Sequence, residues 1–347
     1  MSVGMAVIGS GQMGRTYAGT IRDHTTGARL VSIAGGSRSA AVAEEFGTDF
    51  EPSVAAALAR PDVDAVILAT PHSQHLPNTL QAAAAGKHIY VEKPMARTVA
   101  ECDAMIQACR DAGVLLAVNK VLRFRVAALA ARAAVEDGTI GELRMMLARH
   151  VHSSFLVADK AWVYDPAEGS RWLDWGSHCC DLFRWYSDSE PVSAHANYAN
   201  YSKVPPAGQT ASVEYRFASG VIAHALMSYE FPAPGLVPTD QILLVGSKAM
   251  VDVDIWGRVR LGKGRRWQVI AEQAPIDYMV GYMHPNRLLA FASQVQDFVD
   301  AITSGRQPVI GGADGRAAVE MVQAADRSAA TGEAVALPLG SAASNLT

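Results

Sequence analysis

The sequence is poor in cysteine. It has four cysteines in 347 residues, Cys102, Cys109, Cys179 and Cys180, and they form neither a CxxC pair nor a disulfide framework. This usage excludes a disulfide-stapled domain and is typical of a reducing compartment. The sequence also lacks an apolar run near the roughly 20 residues that span a bilayer, and a basic N-terminal segment followed by a long apolar one. We therefore expect a soluble cytoplasmic protein without a membrane partner.

Positive charge is not in excess either. The 30 Lys and Arg residues are outnumbered by 34 Asp and Glu residues, which gives a net charge of −4 at pH 7. A nucleic-acid partner is not expected, because such proteins need a basic surface. Half of the residues are hydrophobic and 18% are charged, which is the composition of a globular protein. A chain of this length exceeds one ordinary core and predicts two domains.

A glycine-rich loop follows the first apolar segment. Val3–Ile8 is a predicted strand, and a helix is predicted from Arg15 to Asp23. The GxGxxG motif between them permits a tight turn, a close approach to a pyrophosphate, and close packing of helix on strand. The helix N-terminus would offer free amides to the phosphates. We expect dinucleotide contacts from these loop residues: Gly9, Gly11, Gln12, Met13 and Gly14.

The end of the second predicted strand, Leu30–Ala34, carries no acidic residue. A site for NAD usually has Asp or Glu there, roughly 20 residues past the glycines, to bind the ribose hydroxyls. Here two glycines lead into Ser37 and Arg38. A hydroxyl and a guanidinium suit a 2′-phosphate, because arginine forks onto phosphate oxygens. The sequence therefore favours NADP(H), while NAD(H) is possible if Arg38 stacks on adenine or faces water.

Two further strand–turn–helix units continue the pattern. Thr70, Pro71 and His75 lie in the turn after the first of these strands, and Glu92 and Lys93 follow the second. Ligands of open α/β sheets bind at the carboxyl ends of the strands. Lys93 is therefore predicted to stand where a cofactor and a substrate meet.

The alternation of strands and helices ends near residue 120. It predicts parallel βαβ units, so residues 1–120 should form a dinucleotide-binding Rossmann domain with a doubly wound parallel sheet. After residue 190, long strands separated by turns dominate and indicate an antiparallel sheet. Residues 121–347 are therefore predicted to form a second α/β domain.

Asp174 and His178 lie four residues apart in a segment that predicts a helix from Asp174 to Trp185. Residues at this spacing share one face of a helix. A carboxylate beside an imidazole stabilises the imidazolium and fixes the ring orientation, as a general base and its orienting group require. A capping aspartate and a packed histidine are the alternative that the spacing leaves open.

Taken in this order, the motifs resemble those of the Gfo/Idh/MocA oxidoreductases, the glucose–fructose oxidoreductase and inositol dehydrogenase family. One departure is Gly169-Ser170-Arg171-Trp172, which replaces a glycine-rich pair and changes the expected pocket shape. The matching segments are Ala69–Pro71 with His75, Ala85–His88, Glu92–Pro94, Gly138–Glu142, and Asp174 with His178 and Asp181.

The resemblance implies a Rossmann domain followed by an α/β domain with a large, mostly antiparallel open sheet, which binds the substrate and joins homodimers or homotetramers. It implies NAD(P)-dependent interconversion of a secondary alcohol and a ketone on a sugar, cyclitol or related polyhydroxylated ring. In this family Lys93 would hydrogen-bond the reacting oxygen, His178 would be the acid/base, and Asp174 would bind substrate or orient the base. Further cofactor contacts are expected from Ser37, Arg38, Thr70, Pro71, His75, Glu92 and Lys93.

Aromatic residues cluster around this predicted site along the chain. Aromatic faces suit the C–H face of a sugar or cyclitol ring, although most such residues belong to a core. The candidates for substrate contacts are Arg171, Trp172, His152, Trp162 and His284.

Three alternatives stay open at this point. His150 and His152 share a strand face and His178 lies beside two cysteines, but this spacing matches no usual zinc motif, so we expect no metal. A non-catalytic dinucleotide-binding sensor would have no need of Lys93, Asp174 and His178. A third reading is a redox-assisted enzyme of the same family that opens a glycosidic bond by elimination.

Overall fold

The computed structural model describes residues 2–152, 161–203, 206, 208–232, 240–276 and 281–340. Its internal contacts divide the chain into two units, Met1–Phe124 with Ile276–Arg316, and Arg125–Pro275 with Ala317–Thr347. The boundary drawn from the sequence had assigned residues 276–316 to the second domain, whereas their contacts lie in the first unit.

The first unit is built around a parallel sheet of six strands in the order β3-β2-β1-β4-β5-β6. This order is that of a doubly wound Rossmann sheet, which confirms the predicted fold class. Nearly all residues of β1, β4 and β5 are buried, because helices cover both faces of such a sheet. The strands are β1 (Val3–Ile8), β2 (Ala28–Ala34), β3 (Asp49–Glu51), β4 (Ala65–Leu68), β5 (His88–Val91) and β6 (Leu116–Val118).

Four neighbouring strands end level at the carboxyl edge of this sheet. Ile8 of β1 pairs with Ala34 of β2 and with Leu68 of β4, and Leu68 pairs with Val91 of β5. The residues that follow these strands therefore meet at one edge, where open α/β sheets bind their ligands.

The described part of the chain contains nine α-helices, none of them a candidate for crossing a bilayer. They are α1 (Gln12–His24), α2 (Ser39–Phe46), α3 (Val54–Leu58), α4 (His75–Ala84), α5 (Val99–Asp111), α6 (Val126–Glu136), α7 (Arg171–Ser187), α8 (Pro285–Ser304) and α9 (Gly312–Thr331).

Helix α8 packs on the first unit. The ring of Phe291 lies 5.7 Å from that of Tyr17 on α1, and the ring of Phe298 lies 5.7 Å from that of Tyr90 on β5. The amide of Gln294 donates to the carbonyl oxygen of Val118 at 2.8 Å. These contacts explain why a segment so late in the chain belongs with the Rossmann sheet.

The second unit contains a sheet of nine strands in the order β14-β13-β12-β11-β7-β10-β9-β8-β15. Only β7 and β10 pair in parallel, which confirms the predicted, mostly antiparallel sheet. One face is buried, and α7 packs there against β7 and β10. The strands are β7 (Leu143–Val151), β8 (Pro191–Ala199), β9 (Thr210–Phe217), β10 (Ile222–Ser228), β11 (Asp240–Gly246), β12 (Met250–Asp254), β13 (Arg258–Lys263), β14 (Arg266–Glu272) and β15 (Val335–Ala336).

The alanine-rich segment 121–135, whose composition predicts one helix, is not helical from its start. Residues 121–124 form a 3-10 turn, Arg125 is extended with φ −74° and ψ 139°, and α6 begins at Val126. The guanidinium of the buried Arg125 lies 4.4 Å from the ring centroid of Trp256. Composition could not reveal this interruption, because the residue that Arg125 contacts is distant in sequence. Strand β14 was not predicted either, since most of its side chains are exposed and show no one-sided apolar alternation.

Candidate active site

The glycine loop joins β1 to α1 and tolerates no side chain at two of its glycines. Gly9 has φ +119°, and a Cβ there would lie 2.3 Å from the carbonyl oxygen of Ala69. A Cβ at Gly14 would lie 1.9 Å from the carbonyl oxygen of Gly9. At Gly11 a Cβ would meet nothing nearer than Nη2 of Arg38 at 3.9 Å. The loop is thus tightly packed on the sheet side and open at Gly11, where a pyrophosphate would need close approach to the backbone.

Ser37 and Arg38 follow β2 and are both exposed. The backbone amide of Arg38 donates to Oγ of Ser10 at 3.3 Å, so this turn is tied to the glycine loop. The guanidinium of Arg38 faces Gly11, which places a cation beside the open part of the loop. No acidic residue occupies the turn after β2.

Thr70 follows β4 at the same edge of the sheet. Its backbone nitrogen would lie 3.2 Å from a Cβ at Gly9, so the two turns touch. Its Oγ1 is buried and, among the described residues, has no hydrogen-bond partner. Pro71 beside it is exposed. A glycine cradle, the N-terminus of α1 and an unpaired hydroxyl at one sheet edge fit a dinucleotide cofactor.

His75 is fully buried and links two turns of the first unit. Its Nε2 lies 3.0 Å from the carbonyl oxygen of Thr70, and its Nδ1 lies 3.0 Å from that of Pro94 and 3.2 Å from that of Met95. Burial lowers the pKa of its imidazole. Both ring nitrogens of His75 therefore face backbone oxygens, and the ring holds the turn after β4 against the Pro94–Met95 segment.

Glu92 anchors the turn that carries Lys93. Its buried carboxylate accepts hydrogen bonds from the hydroxyl of Tyr17 at 2.6 Å, from the amide of Asn119 at 2.8 Å and from the backbone nitrogen of Lys93 at 2.9 Å. The Lys93–Pro94 peptide is cis, and the Lys93 side chain is half-buried. Glu92 thus fixes the backbone from which Lys93 projects.

Asp174 and His178 lie on the same face of helix α7. The helix begins where Oγ of Ser170 accepts a hydrogen bond from the backbone of Leu173 at 3.2 Å. Between residues 171 and 183, only Asp174 and His178 are not buried. Since residues four apart share a helix face, one carboxylate and one imidazole stand together on an otherwise buried surface.

A polar cluster around Asp240 fixes α7 to the sheet of the second unit. The register of β7 and β11 pairs His150 with Asp240, and the His150 Nδ1 is hydrogen-bonded to Oδ1 of Asp240. The indoles of Trp175 and Trp256 donate to the two carboxylate oxygens at 3.1 and 2.5 Å. His150 also stacks on Trp175 of α7 with ring centroids 4.7 Å apart. Trp175 follows Asp174 directly, so this cluster sets the rotation of the helix.

The same cluster offers one ligand atom each from His150, His152 and Asp240, all within 4.8 Å of one another. Burial alone would raise the pKa of Asp240, but the charge of His150 and the hydrogen bonds from His150 and Trp256 outweigh it and lower the pKa to about 2. Hydrogen bonds from three side chains already occupy the carboxylate.

We expect the protein to lose stability between about pH 4 and about pH 2. A carboxyl whose pKa is about 2 in the folded protein, against about 3.9 in the unfolded chain, contributes about 2–3 kcal/mol above both values and loses it as the pH falls through the folded pKa. Asp240→Asn should remove this part of the pH dependence of the free energy of unfolding, measured in urea. The exposed Asp188→Asn should keep it. Superimposable pH profiles for wild type and Asp240→Asn would contradict the assignment.

The remaining candidates for substrate contact lie in different surroundings. Trp172 is fully buried and its indole donates to the hydroxyl of Tyr215 at 3.2 Å. His284 belongs to the first unit and caps α8 by accepting from the backbone of Asn286 at 3.2 Å. Trp162 is 38% exposed in the 3-10 turn Ala161–Tyr164.

The comparisons with known families cover most of the chain. Residues 3–120 match the oxidoreductase family with an NAD-binding Rossmann fold, GFO_IDH_MocA. Residues 128–252 match the GFO/IDH/MocA C-terminal domain. The two matches follow the order in which the sequence motifs occur, and they confirm the resemblance drawn from them.

Similar proteins extend over nearly the full length. The 1,5-anhydro-D-fructose reductase of Ensifer adhaerens is 32% identical over 346 residues, 96% of this chain and 98% of the relative. The inositol 2-dehydrogenase of Rhizobium meliloti (strain 1021) is 28% identical over 349 residues, 95% and 98% of the two chains. The aldose-aldose oxidoreductase of Caulobacter crescentus, solved with glycerol, has a TM-score of 0.82 at 25% identity, with 97% and 100% coverage. The protein is therefore an oxidoreductase that acts on CH–OH groups with a nicotinamide cofactor, and it belongs to the GFO/IDH/MocA family.

Proposed function

We propose that the protein interconverts a secondary alcohol and the corresponding ketone on a sugar, cyclitol or related polyhydroxylated ring. The names of its relatives, a reductase of an anhydro sugar and a dehydrogenase of inositol, support this substrate class. The observation that carries the proposal is the burial pattern of α7, which leaves only Asp174 and His178 partly exposed in its first 13 residues, 171–183. A carboxylate and an imidazole one turn apart are suited to proton transfer.

In this proposal His178 takes the proton from the substrate hydroxyl during oxidation and returns it during reduction. Asp174 orients the imidazole or binds a neighbouring hydroxyl. Lys93, whose backbone the Glu92 carboxylate holds, donates a hydrogen bond to the reacting oxygen and stabilises the negative charge that develops there. The bound cofactor supplies the hydride chemistry.

We further propose NADP(H) as the favoured cofactor, with NAD(H) as the alternative. The backbone around Gly11 and the N-terminus of α1 would hold the pyrophosphate, and Thr70 would donate its unpaired hydroxyl nearby. Ser37 and Arg38 would bind a 2′-phosphate, because both are exposed beside the glycine loop and no acid competes for the position.

Arg38→Ala should move the cofactor preference from NADP toward NAD. Losing a forked charge-assisted contact should raise the KM for NADP about 10-fold or more and change the KM for NAD by less than about threefold. Steady-state kinetics with both cofactors measures this. Arg22→Ala is the matched control, because Arg22 pairs with Asp23 at the far end of α1. An unchanged preference in Arg38→Ala would remove Arg38 from this role.

We also propose that the protein assembles into a homodimer or homotetramer through the sheet of the second unit. The open face of that sheet exposes large apolar side chains, with Met145 at 40%, Leu147 at 39% and Trp267 at 49% exposure. Apolar groups in such a row are typical of protein–protein contacts. Sedimentation velocity of the purified protein would give the mass of the assembly, and a monomer at micromolar concentration would contradict the proposal.

The experiment that tests the function is a panel of sugars, cyclitols and their keto forms with NAD and NADP in parallel. The absorbance of the reduced cofactor reports oxidation or reduction directly. We expect at least one combination of compound and cofactor to react. This turnover should be lost in His178→Ala. An unchanged absorbance with every compound would favour a non-catalytic dinucleotide-binding sensor instead. Glycoside cleavage without net change of cofactor would identify the eliminating reaction.

A further inference from the structure

Arg171, at the start of α7, is a buried cation with an unused hydrogen-bonding edge. Its side chain is 2% exposed, and its Nη1 lies 3.6 Å from Oδ2 of Asp174, longer than a hydrogen bond. Within the described ranges, its Nε and Nη2 have no partner. These two nitrogens form one edge of the planar guanidinium, from which two parallel N–H groups project.

The groups around this edge do not neutralise it. The Cζ of Arg171 lies 4.0 Å from the ring centroid of Tyr229, a contact that leaves the guanidinium edge available. Asp240, the other carboxylate near Tyr229, is already occupied by His150, Trp175 and Trp256. Among the described residues, the carboxylate of Asp174 is therefore the acidic group that pairs with Arg171, at 3.6 Å from its Nη1.

His152 contributes a further buried polar atom beside the same Tyr229 ring. Its Nδ1 is buried and lacks a partner in the described part of the chain, and its ring stacks on that of Tyr229 at 6.1 Å. Burial, with the neighbouring His150, lowers the pKa of His152 to about 4. The imidazole is thus neutral near pH 7 and can exchange one hydrogen bond with a ligand without adding charge.

Buried N–H groups of a charged side chain are unfavourable unless an acceptor meets them. The two parallel donors match the spacing of the two oxygens of a carboxylate, the partner that arginine binds bidentately. The Arg171 edge is itself buried, and the Asp174 side chain beside it is 25% exposed.

We propose that Arg171 binds a carboxylate of the substrate, so that the substrate is an acidic sugar, cyclitol or related ring. This inference rests on the proposed oxidoreductase function and narrows its substrate class. Phosphate oxygens could fill the same edge, so the test compares the two anions. His152 completes the site as a hydrogen-bonding group beside the carboxylate.

The test uses the holoenzyme and matched trios of ligands. D-glucuronate and D-galacturonate are the carboxylates, D-glucose and D-galactose the neutral partners, and the two 6-phosphates the phosphate arm. Isothermal titration calorimetry with the cofactor bound measures affinity, and cofactor absorbance measures turnover. We expect a uronate to bind at least about 10-fold more tightly than its neutral partner, and Arg171→Met to abolish that advantage, a loss of about 10- to 100-fold.

Arg184→Met is the matched control, because Arg184 lies on the same helix and pairs with Glu190. Arg171→Lys keeps the charge but not the fork, and it should retain the uronate preference only in part. Equal or weaker binding of both uronates in the wild type overturns the inference without needing a variant, and so does tighter binding of the 6-phosphates.

The two proposals fail separately. Uronate turnover and affinity that are the same in wild type and Arg171→Met would overturn the carboxylate site and leave the oxidoreductase proposal intact. Uronate binding that depends on Arg171 without any change in cofactor absorbance across the whole panel would support the site and remove the proposed reaction.

Discussion

Replacing Lys93 by methionine should lower kcat by at least roughly 100-fold, because the reacting oxygen would lose its positively charged hydrogen-bond donor. Methionine keeps an unbranched stem of similar length, so the half-buried position stays filled. The anchoring bond from the backbone nitrogen of residue 93 to Glu92 does not depend on the side chain. Cofactor affinity, measured by fluorescence titration, should therefore change much less than turnover.

A second lysine in the same unit provides the control. The Nζ of Lys87 donates to the carbonyl oxygens of Arg60 at 3.1 Å and Val63 at 2.8 Å. Lys87→Met should thus lower the melting temperature and leave kcat nearly unchanged. Near-normal turnover in Lys93→Met on the true substrate would show that this amine is not at the reacting oxygen.

The second large effect is expected at His178. His178→Ala removes the proposed acid/base and should also cost at least roughly 100-fold in turnover. The pH dependence of kcat/KM should flatten where the imidazole titrates, because no side chain then takes the proton. Imidazole added to the buffer should restore part of the activity of His178→Ala and none of the activity of Lys93→Met.

His195 is the matched histidine for this experiment. It is exposed on β8 of the same unit, so His195→Ala should keep both the rate and the pH profile of the wild type. A pH profile of His178→Ala that matches the wild type at undiminished rate would assign the proton transfer to another group.

Local patterns in the sequence predicted the elements that position the candidate residues. The GxGxxG loop, the strand before Lys93 and the spacing of Asp174 and His178 each depend on residues close together in the chain. Predicting the parallel sheet needed only the alternation of strands and helices. These features could be predicted from the sequence because turn geometry and helix periodicity depend on residues only a few positions apart.

The cluster around Asp240 could not be predicted in this way. Asp240 faces His150 only because β7 and β11 pair in one particular register, and that pairing joins distant parts of the chain. The burial of Arg171 and Trp172 likewise follows from how α7 packs on the sheet. Sequence reasoning proposed both as candidates for substrate contact, but it could not foresee that Trp172 is fully buried or that, among the described residues, Nε and Nη2 of Arg171 have no hydrogen-bond partner.

The contacts of α8 have a consequence for synthesis of the protein. The chain leaves the first unit after Phe124 and re-enters it at Ile276, so a ribosome synthesises residues 125–275 of the second unit before Phe291 and Phe298 exist. Until then the apolar surfaces around Tyr17 and Tyr90 have no cover. A fragment that stops at Phe124 would therefore expose these apolar surfaces and should be a poorly stable form of the nucleotide-binding unit. A stable fragment should need α8 joined to it through a linker.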